Sequence, residues 1–357
     1  MSRLKGRKKK KDGRGKTGAD RPKAAPKRII QIKRRRVVAV TGVTGFIGSN
    51  LLRRLQTNDH YERFVLMDIE KPQFPVRRSK FYKLDLSEPT ADAYMADILK
   101  REECDTFVHL AFLQHPVLRT TYAHELEAIG TMYVLNACAE RSIRKIVIAS
   151  STMVYGAHPT NPNFLSEDHR LRASGFRMLA DRVEIENQVR TYRRKHPDTV
   201  ITVLRPCFTL GPRIKNFLTR YLSLPFVYTV LGYDPLMQFV HEEDVIEAFK
   251  LATDRDFSGE YNIVGKGVLP VSTLMKLAGK INVRMPSFVL YPMIDTLWLA
   301  KLAITPSTYL DYMRYLFVAD GARAAEEMGF EARYSTREAW ESFVGTMRLR
   351  KMNLAEE

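Results

Sequence analysis

A strand-to-helix turn built on three glycines constrains this chain more than any other stretch. The apolar, β-branched residues 37–40 predict a buried parallel strand, and the amphipathic residues 50–55 predict a helix. Gly42, Gly45 and Gly48 fall between them. Residues without a Cβ at such a junction allow a tight bend and a close approach of the backbone to a ligand. The free N–H groups at the start of the helix would then face an anion.

An acidic residue at the end of the next strand extends this pattern. Residues 64–67 are again apolar, and Asp68 follows them, 20 residues after Gly48. A glycine turn between a strand and a helix, followed by an acidic residue at this distance, is typical of dinucleotide binding. The sequence therefore predicts a dinucleotide site at the start of the first helix.

The rest of the first 206 residues alternates between strand and helix patterns. Strands are predicted at 37–40, 64–68, 80–84, 106–111, 145–150 and 200–204, and helices at 91–101, 117–141 and 181–195. This alternation predicts an α/β, doubly wound parallel Rossmann sheet, whose ligand lies beyond the carboxyl ends of the strands. After Pro206 the alternation weakens. The apolar segments 218–232 and 274–315, interrupted by prolines, predict a smaller, mostly helical C-terminal substrate lobe.

These changes of pattern divide the chain. We expect a basic tail at 1–36, an NAD-binding domain at 37–206 that 239–265 rejoins, a substrate lobe at 207–238 and 266–345, and a C-terminal tail at 346–357. The basic tail has 17 Lys or Arg and two Asp, so it carries most of the net charge of +17. It is almost free of apolar residues and is predicted to be disordered. A solvated extension, a start codon placed upstream in error, and a segment that binds nucleic acid or an anionic surface all remain open.

Composition and residue spacing also limit what can be expected of the protein's cellular location and metal content. No apolar segment follows the charged tail, so a secretory signal is not expected. Cys104, Cys138 and Cys207 lack a close pairing or a metal-type spacing, which predicts reduced core thiols and a cytoplasmic location. The eight histidines show no ligand spacing either, so no metal is expected. Residues 285–304 are strongly apolar but include two prolines and two charges, which favours a core or lid helix over a transmembrane span or an apolar binding surface.

The order of the motifs resembles the extended short-chain dehydrogenase/reductase family, also called the NAD-dependent epimerase/dehydratase family, over roughly residues 37–344. Besides the glycine turn, the matching motifs are Asp68, Asp85-Leu86, His109-Leu110-Ala111, Gly130-Thr131, 150–156, 204–206, 211–213, 239–245, 261–262 and 327–330. The resemblance implies an oxidoreductase or isomerase that acts on a small molecule. It also implies a possible homodimer through the helices at 117–141 and 181–195.

The resemblance further implies a set of cofactor-binding residues. Asp68 would accept hydrogen bonds from the adenosine ribose and repel a 2′-phosphate, which favours NAD over NADP, although Lys71, Arg77 and Arg78 lie nearby in sequence. Asp85 has an alternative role as a turn cap. The implied set is Gly42, Thr44, Gly45, Phe46, Ile47, Gly48, Asp68, Asp85, Leu86, Leu110, Ala111, Arg182 and Pro206.

The catalytic positions are where this chain departs from the family. Members use a Ser or Thr, a Tyr with a Lys four residues after it, and an Asn. Ser151 stands at the first position, with capping of a strand end as its alternative role. One register places Met178 at the Tyr and Arg182 at the Lys, whereas a shorter loop would place Phe176 and Ala180 there.

Glu127 replaces the usual Asn. Because a thioether cannot transfer a proton, we expect cofactor binding to survive better than turnover, with Tyr155 as the nearest substitute proton donor. Arg182 could still hydrogen-bond the nicotinamide ribose.

Two hypotheses about function follow from these departures. One is an epimerase, dehydratase or dehydrogenase acting on a hydroxyl or ketone of a sugar-like or apolar molecule through an atypical proton relay. The other is a catalytically silent NAD(H)-binding protein with a regulatory or scaffolding role.

Substrate signals are few. Met237 stands where nucleotide-sugar members of the family carry an Arg, which makes a nucleotide sugar less expected. Arg205 and Arg213 are candidates for anion contacts or for structural salt bridges. His241 is expected to pack or to cap a turn.

Overall fold

The structure is a computed structural model that describes residues 36–356. The predicted basic tail lies outside these residues except for Arg36. In chain order the strands are β1 (Arg36–Thr41), β2 (Tyr61–Asp68), β3 (Ser79–Lys83), β4 (Thr106–His109), β5 (Lys145–Ala149), β6 (Val200–Pro206), β7 (Phe208–Leu210), β8 (Phe226–Val230), β9 (Leu236–Met237), β10 (Phe239–His241), β11 (Gly259–Ile263), β12 (Leu269–Pro270) and β13 (Ile281–Met285).

Helices lie between these strands and after the last of them. They are α1 (Phe46–Leu55), α2 (Ala91–Arg101), α3 (Thr120–His124), α4 (Gly130–Glu140), α5 (Arg177–Lys195), α6 (Phe217–Ser223), α7 (Glu242–Asp254), α8 (Val271–Ala278), α9 (Ser287–Leu299) and α10 (Thr336–Glu356). Short 3₁₀ segments occur at Thr152–Tyr155 and Ser307–Met313, and π-helical turns at Glu125–Ile129 and Ala324–Met328.

Seven parallel strands form the central sheet, in the order β11-β6-β5-β4-β1-β2-β3. The chain winds outward from β1 in both directions, so the predicted doubly wound α/β fold is confirmed. The inner strands are buried on both faces, as their continuous apolar sequences require. β11 lies beside β6, which brings part of the segment 239–265 back to the sheet.

The helix predicted at 117–141 begins instead at Thr120 and contains a π-helical turn at Glu125–Ile129 between α3 and α4. A π turn adds one residue to a helical turn and so changes which side chains face inward. Here it turns the carboxylate of Glu127 into the protein, where it is fully buried.

The C-terminal lobe is less purely helical than the sequence predicts. β8 pairs with β13, β9 with β12, and β7 with β10, which makes three two-stranded sheets. The segment 346–356, predicted as a tail, continues α10.

The strongly apolar window 285–304 contains α9, which is buried along one side only. Leu290 and Ile294 face the core, whereas Phe288 and Leu299 are exposed. Across residues 36–356, the structure holds no helix with the length and apolar character that a membrane crossing needs.

Candidate functional site

The glycine turn has one face that the protein itself leaves open. A Cβ on Gly42 would lie 2.5 Å from the carbonyl of Leu110, and one on Gly48 would lie 2.2 Å from the carbonyl oxygen of Gly42, so internal packing requires both glycines. A Cβ on Gly45 would meet only that same oxygen, at 3.2 Å. Gly45 also precedes α1 without a side-chain cap, and it lines a cavity. The first N–H groups of α1 therefore face open space, as an anionic ligand would need.

Asp68 holds the glycine turn and keeps capacity for a further donor. One carboxylate oxygen accepts hydrogen bonds from the N–H and the hydroxyl of Thr44, both at 3.0 Å, and the other accepts from the N–H of Ile69 at 2.8 Å. A carboxylate offers about four acceptor positions. The side chain is only partly buried. Asp68 can thus accept a ribose hydroxyl without losing its bonds to the turn, and the turn and Asp68 together fit a dinucleotide.

The cavity opens at the carboxyl ends of β1, β4, β5 and β6. Seven of the predicted cofactor-binding residues line it: Gly45, Phe46, Ile47, Gly48, Leu110, Arg182 and Pro206. The predicted residues Gly42, Thr44, Asp68, Asp85, Leu86 and Ala111 are not part of its wall.

Asp85 is engaged in the turn that was its alternative role. One carboxylate oxygen accepts hydrogen bonds from the N–H of Ser87 at 2.9 Å and from its hydroxyl at 2.7 Å. Leu86 is buried, and its Cβ lies where a Cβ on Gly130 would come within 3.0 Å. These two residues therefore have structural roles whether or not they also meet an adenine.

Ser151 lines the cavity and also caps a turn. Its Oγ accepts a hydrogen bond from the N–H of Met153 at 3.2 Å, at the start of the 3₁₀ segment. Within residues 36–356 its hydroxyl proton has no acceptor. Capping and hydrogen bonding to a substrate oxygen are thus compatible, since they use different parts of the same hydroxyl.

The structure brings only one of the two alternative catalytic registers to the cavity. Met178 and Arg182 on α5 both line it, and the sulfur of Met178 accepts a hydrogen bond from the N–H of Val117 at 3.4 Å. Phe176 and Ala180 are absent from its wall, and Ala180 is exposed. A thioether therefore occupies the part of the cavity that α5 lines, in the register where the family has its phenol.

The two other departures from the family pattern form a buried ion pair. The guanidinium of Arg182 donates to the carboxylate of Glu127 at 3.0 Å and to the carbonyl of Leu113 at 3.2 Å, and it lies 4.5 Å above the ring of Phe112. The Leu113 N–H donates to the same carboxylate oxygen at 2.7 Å, whereas the other oxygen is buried without a partner in the described part of the chain. Burial raises the pKa of Glu127, and the charge of Arg182 partly opposes that rise.

Sequence reasoning noted both substitutions but not their contact. The signal that could have predicted it is the opposite charge of the two replacements. An Arg at one altered position and a Glu at the other compensate each other only if they touch.

Tyr155 does not provide a substitute proton donor at this site. It is fully buried away from the cavity, where its hydroxyl donates to Asn262 at 2.7 Å and accepts from Arg205 at 2.8 Å. Burial raises the pKa of Tyr155 to about 12. The hypothesis that placed Tyr155 in a proton relay is therefore wrong for this conformation.

Arg205 and Arg213, which the sequence left as candidates for anion contacts or structural salt bridges, both form internal salt bridges. Arg205 is fully buried and pairs with the carboxylate of Glu186. Arg213 pairs with Glu242 at 2.9 Å and also contacts Glu243. Neither lines the cavity.

His241 acts as predicted. Its ring accepts a hydrogen bond from the N–H of Glu243, capping α7, and stacks on Tyr334 at a centroid distance of 4.0 Å. Met237 packs into the hydrophobic core of the lobe.

The lobe gives the cavity an aromatic wall. Phe208, Phe217 and Tyr309 line it, and the first two rings lie 6.1 Å apart in an edge-to-face arrangement. A smaller apolar cavity shares these three residues and extends toward Tyr221 and Tyr312. Arg182 is the one Lys or Arg among the described residues that line the main cavity. This side therefore favours apolar contacts over contacts with phosphate.

One cluster outside the cavity has ligand-type side chains. The donor atoms of His124, Asp181 and Glu184 lie within 4.8 Å of one another. One Asp181 oxygen already accepts from His124 at 3.0 Å and from the guanidinium of Arg177 at 2.8 Å. A metal ion there would meet the positive charge of Arg177, so this cluster fits an ion-pair network better than a metal site.

The sheet and the cavity define a Rossmann-fold protein of the dinucleotide-binding type, and comparison with known proteins identifies its family. The model of the NAD dependent epimerase/dehydratase family matches residues 38–264. An uncharacterized protein of Mycobacterium tuberculosis (strain ATCC 25618 / H37Rv) is 32% identical over 322 residues, which cover 86% of this chain and 83% of that protein. The chain belongs to the NAD-dependent epimerase/dehydratase family.

More distant similarities extend to proteins with named activities. Cinnamoyl-CoA reductase 1 of Oryza sativa subsp. japonica is 24% identical over 281 residues, covering 71% of this chain and 78% of that protein. The solved structure of DesIV, a dTDP-glucose 4,6-dehydratase from Streptomyces venezuelae with NAD bound, superposes with a TM-score of 0.67 at 18% identity, covering 88% of this chain and 98% of that one. At that identity the superposition supports the fold.

Proposed function

We propose that this protein binds NAD(H) and transfers hydride to or from a carbon that bears a hydroxyl or ketone oxygen, in a sugar-like or apolar small molecule. The observation that carries the proposal is the single cavity that joins the uncapped start of α1 at Gly45 to Ser151 and Arg182. Membership in the NAD-dependent epimerase/dehydratase family supports it.

The roles of the binding residues follow from their chemistry. The N–H groups at the start of α1 would receive the pyrophosphate, and Asp68 the adenosine ribose. Arg182 keeps guanidinium N–H donors beyond those used on Glu127 and Leu113, and these would reach the nicotinamide ribose. The cofactor, when bound, would accept or donate the hydride. Ser151 would hold the substrate oxygen through its hydroxyl proton.

The cavity wall favours an apolar substrate over a nucleotide sugar. Phe208, Phe217 and Tyr309 offer ring surfaces, while Arg205 and Arg213 are committed to internal carboxylates. A phosphate-bearing substrate would need cations that this side of the cavity lacks among its described residues. An apolar or aromatic carbonyl compound is therefore the preferred substrate class, and a sugar without a nucleotide is the second.

The first experiment measures NAD(H) and NADP(H) binding to the full chain by calorimetry. Gly45→Asp should abolish NAD(H) binding, because its carboxylate would occupy and repel the pyrophosphate position. Gly345→Asp, the same change at an exposed glycine of α10 with open space around its Cβ, is the matched control and should bind as wild type does. Asp68→Asn should bring the affinities for NAD(H) and NADP(H) closer together.

Turnover is tested next with NADH and a series of aryl ketones, aldehydes and free sugars. Hydride transfer that Ser151→Ala reduces would support the proposal. Binding of NAD(H) with no transfer to any of these probes would favour the catalytically silent alternative. If neither NAD(H) nor NADP(H) binds, the proposed function is wrong.

A further inference from the structure

The cavity lacks a phenol at the position where the family has one, so another group must supply the proton if carbonyl reduction takes place. Two cavity-lining hydroxyls other than that of Ser151 already donate inside the protein, that of Ser150 to Glu186 and that of Thr209 to the carbonyl of Cys207. His115, Cys207 and Tyr309 also line the cavity and carry a transferable proton. Cys207 is 5% exposed and packs in the hydrophobic core beside the central sheet. His115 is exposed, and its pKa is lowered first by partial burial of the imidazole and then by the positive charge of Arg220. Tyr309 differs from both in its placement.

Tyr309 packs against the start of the helix that carries Met178 and Arg182. Its ring lies 6.1 Å from that of Phe176, the N-cap residue of α5, and 5.0 Å from that of Phe217. It is 9% exposed and lines the cavity. Among residues 36–356, its hydroxyl has no hydrogen-bond partner and is not sealed from solvent, so the oxygen remains available to a ligand.

The segment that carries Tyr309 is anchored on both sides. At its start, the carboxylate of Asp295 accepts hydrogen bonds from the N–H of Ser307 at 2.8 Å and from its hydroxyl at 2.7 Å. Near its end, the hydroxyl of Tyr312 donates to the carbonyl of Met153 at 2.8 Å, which ties the segment to the turn that follows Ser151. Tyr309 is thus held over the cavity by contacts that leave its own hydroxyl unused.

Its electrostatic surroundings keep the phenol protonated. Burial raises the pKa of Tyr309, the positive charge of Arg182 lowers it, and the negative charge of Glu127 raises it. The phenol is therefore neutral at physiological pH and carries its proton. Arg182 and Glu127 thus act on this phenol in opposite directions, and one oxygen of Glu127 is buried without a partner in the described chain.

We propose that Tyr309, contributed by the C-terminal lobe, donates the proton to the substrate's carbonyl oxygen in place of the phenol absent from α5. This inference rests on the proposed NAD(H)-dependent function. The carbonyl carbon gains the hydride that NADH supplies, the π electron pair moves onto oxygen, and that oxygen takes the proton of the Tyr309 hydroxyl. The products are an alcohol and NAD⁺, and the phenolate regains its proton from water.

The first test observes the hydroxyl without relying on turnover. The full chain is labelled with 3-fluorotyrosine, and the ¹⁹F resonances of Tyr309 and Tyr312 are assigned from Tyr309→Phe and Tyr312→Phe. Adding NADH and then acetophenone or a related aryl ketone should shift the Tyr309 resonance and leave that of Tyr312 in place. If calorimetry shows NADH binding but no aryl ketone moves the Tyr309 resonance, the role of Tyr309 is refuted and the proposed function stands. If NADH does not bind, both fail.

The second test is kinetic. Tyr309→Phe should lower kcat for ketone reduction about 100-fold or more, the range of general acid catalysis, with NADH affinity within about threefold of wild type. Met178→Tyr in the Tyr309→Phe background should restore at least part of the rate, which a purely structural role of Tyr309 would not allow.

Tyr94→Phe, at an exposed phenol of α2 outside the cavity, is the control, and its kcat should stay within about threefold of wild type. His115→Asn tests the imidazole as the competing proton donor. Loss of turnover in His115→Asn with full activity in Tyr309→Phe would assign the proton to the imidazole and overturn the inference.

Discussion

The ion pair between Glu127 and Arg182 is the feature whose removal has the clearest expected cost. Glu127 is fully buried, and Arg182 keeps 17% of its side chain exposed. Arg182→Met removes the cation and leaves the carboxylate with the Leu113 N–H as its remaining partner in the described chain. Breaking a buried pair from one side costs about 3–5 kcal/mol. Because Arg182 is partly exposed, we expect about 2–3 kcal/mol of lost unfolding free energy.

The pH dependence of that loss follows from the pKa of Glu127. Burial already raises it above the unfolded value, so the folded state binds more protons and this carboxyl costs stability as the pH rises above about 4.5. Without Arg182 the pKa rises further. The penalty of Arg182→Met should therefore grow between pH 5 and pH 8, by at most about 1.4 kcal/mol per pH unit.

Urea unfolding of four variants at pH 5 and pH 8 measures this. The double variant Glu127→Gln with Arg182→Met should lose less unfolding free energy than the sum of the losses in the two single variants, because no buried charge remains unpaired. Arg194→Met, at an exposed position of the same helix, controls for helix propensity. If the unfolding free energies of Arg182→Met and Arg194→Met differ by less than about 0.5 kcal/mol at both pH values, the contact between Arg182 and Glu127 does not compensate a buried charge.

Two further changes test the site and the core. Gly48→Ala should lower the unfolding free energy by about 1–3 kcal/mol, since its Cβ would lie 2.2 Å from a carbonyl oxygen, whereas Gly45→Ala should weaken NAD(H) binding in calorimetry more than it lowers stability. His109, between the hydroxyls of Thr41 and Thr131, is buried with a pKa lowered to about 3. Its contribution to stability is present above pH 6.5 and is lost as the pH falls from 6.5 toward 3, by up to about 1.4 kcal/mol per unit. His109→Gln should flatten that part of the stability profile, and an unchanged slope in urea titrations would contradict this account.

Local patterns in the sequence were sufficient for the parallel sheet and the glycine turn. The apolar run of β1, the glycines after it and the acidic end of β2 are close together in the chain. Each can be interpreted from the residues next to it in the sequence. The same holds for the cap that His241 makes on α7. These elements depend on backbone conformation and on the periodicity of apolar residues, and short stretches of sequence determine both.

Only the tertiary structure decided which side chains share the cavity. The π-helical turn between α3 and α4 turns Glu127 inward toward Arg182, 55 residues later. The 3₁₀ segment of the lobe brings Tyr309 against the start of α5, and the burial of Tyr155 removes that phenol from the cavity. No local pattern encodes these neighbours, because contact between distant residues depends on how whole elements pack. The sequence by itself determined a dinucleotide-type fold with an altered catalytic set, and packing determined which residues stand where the usual ones are missing.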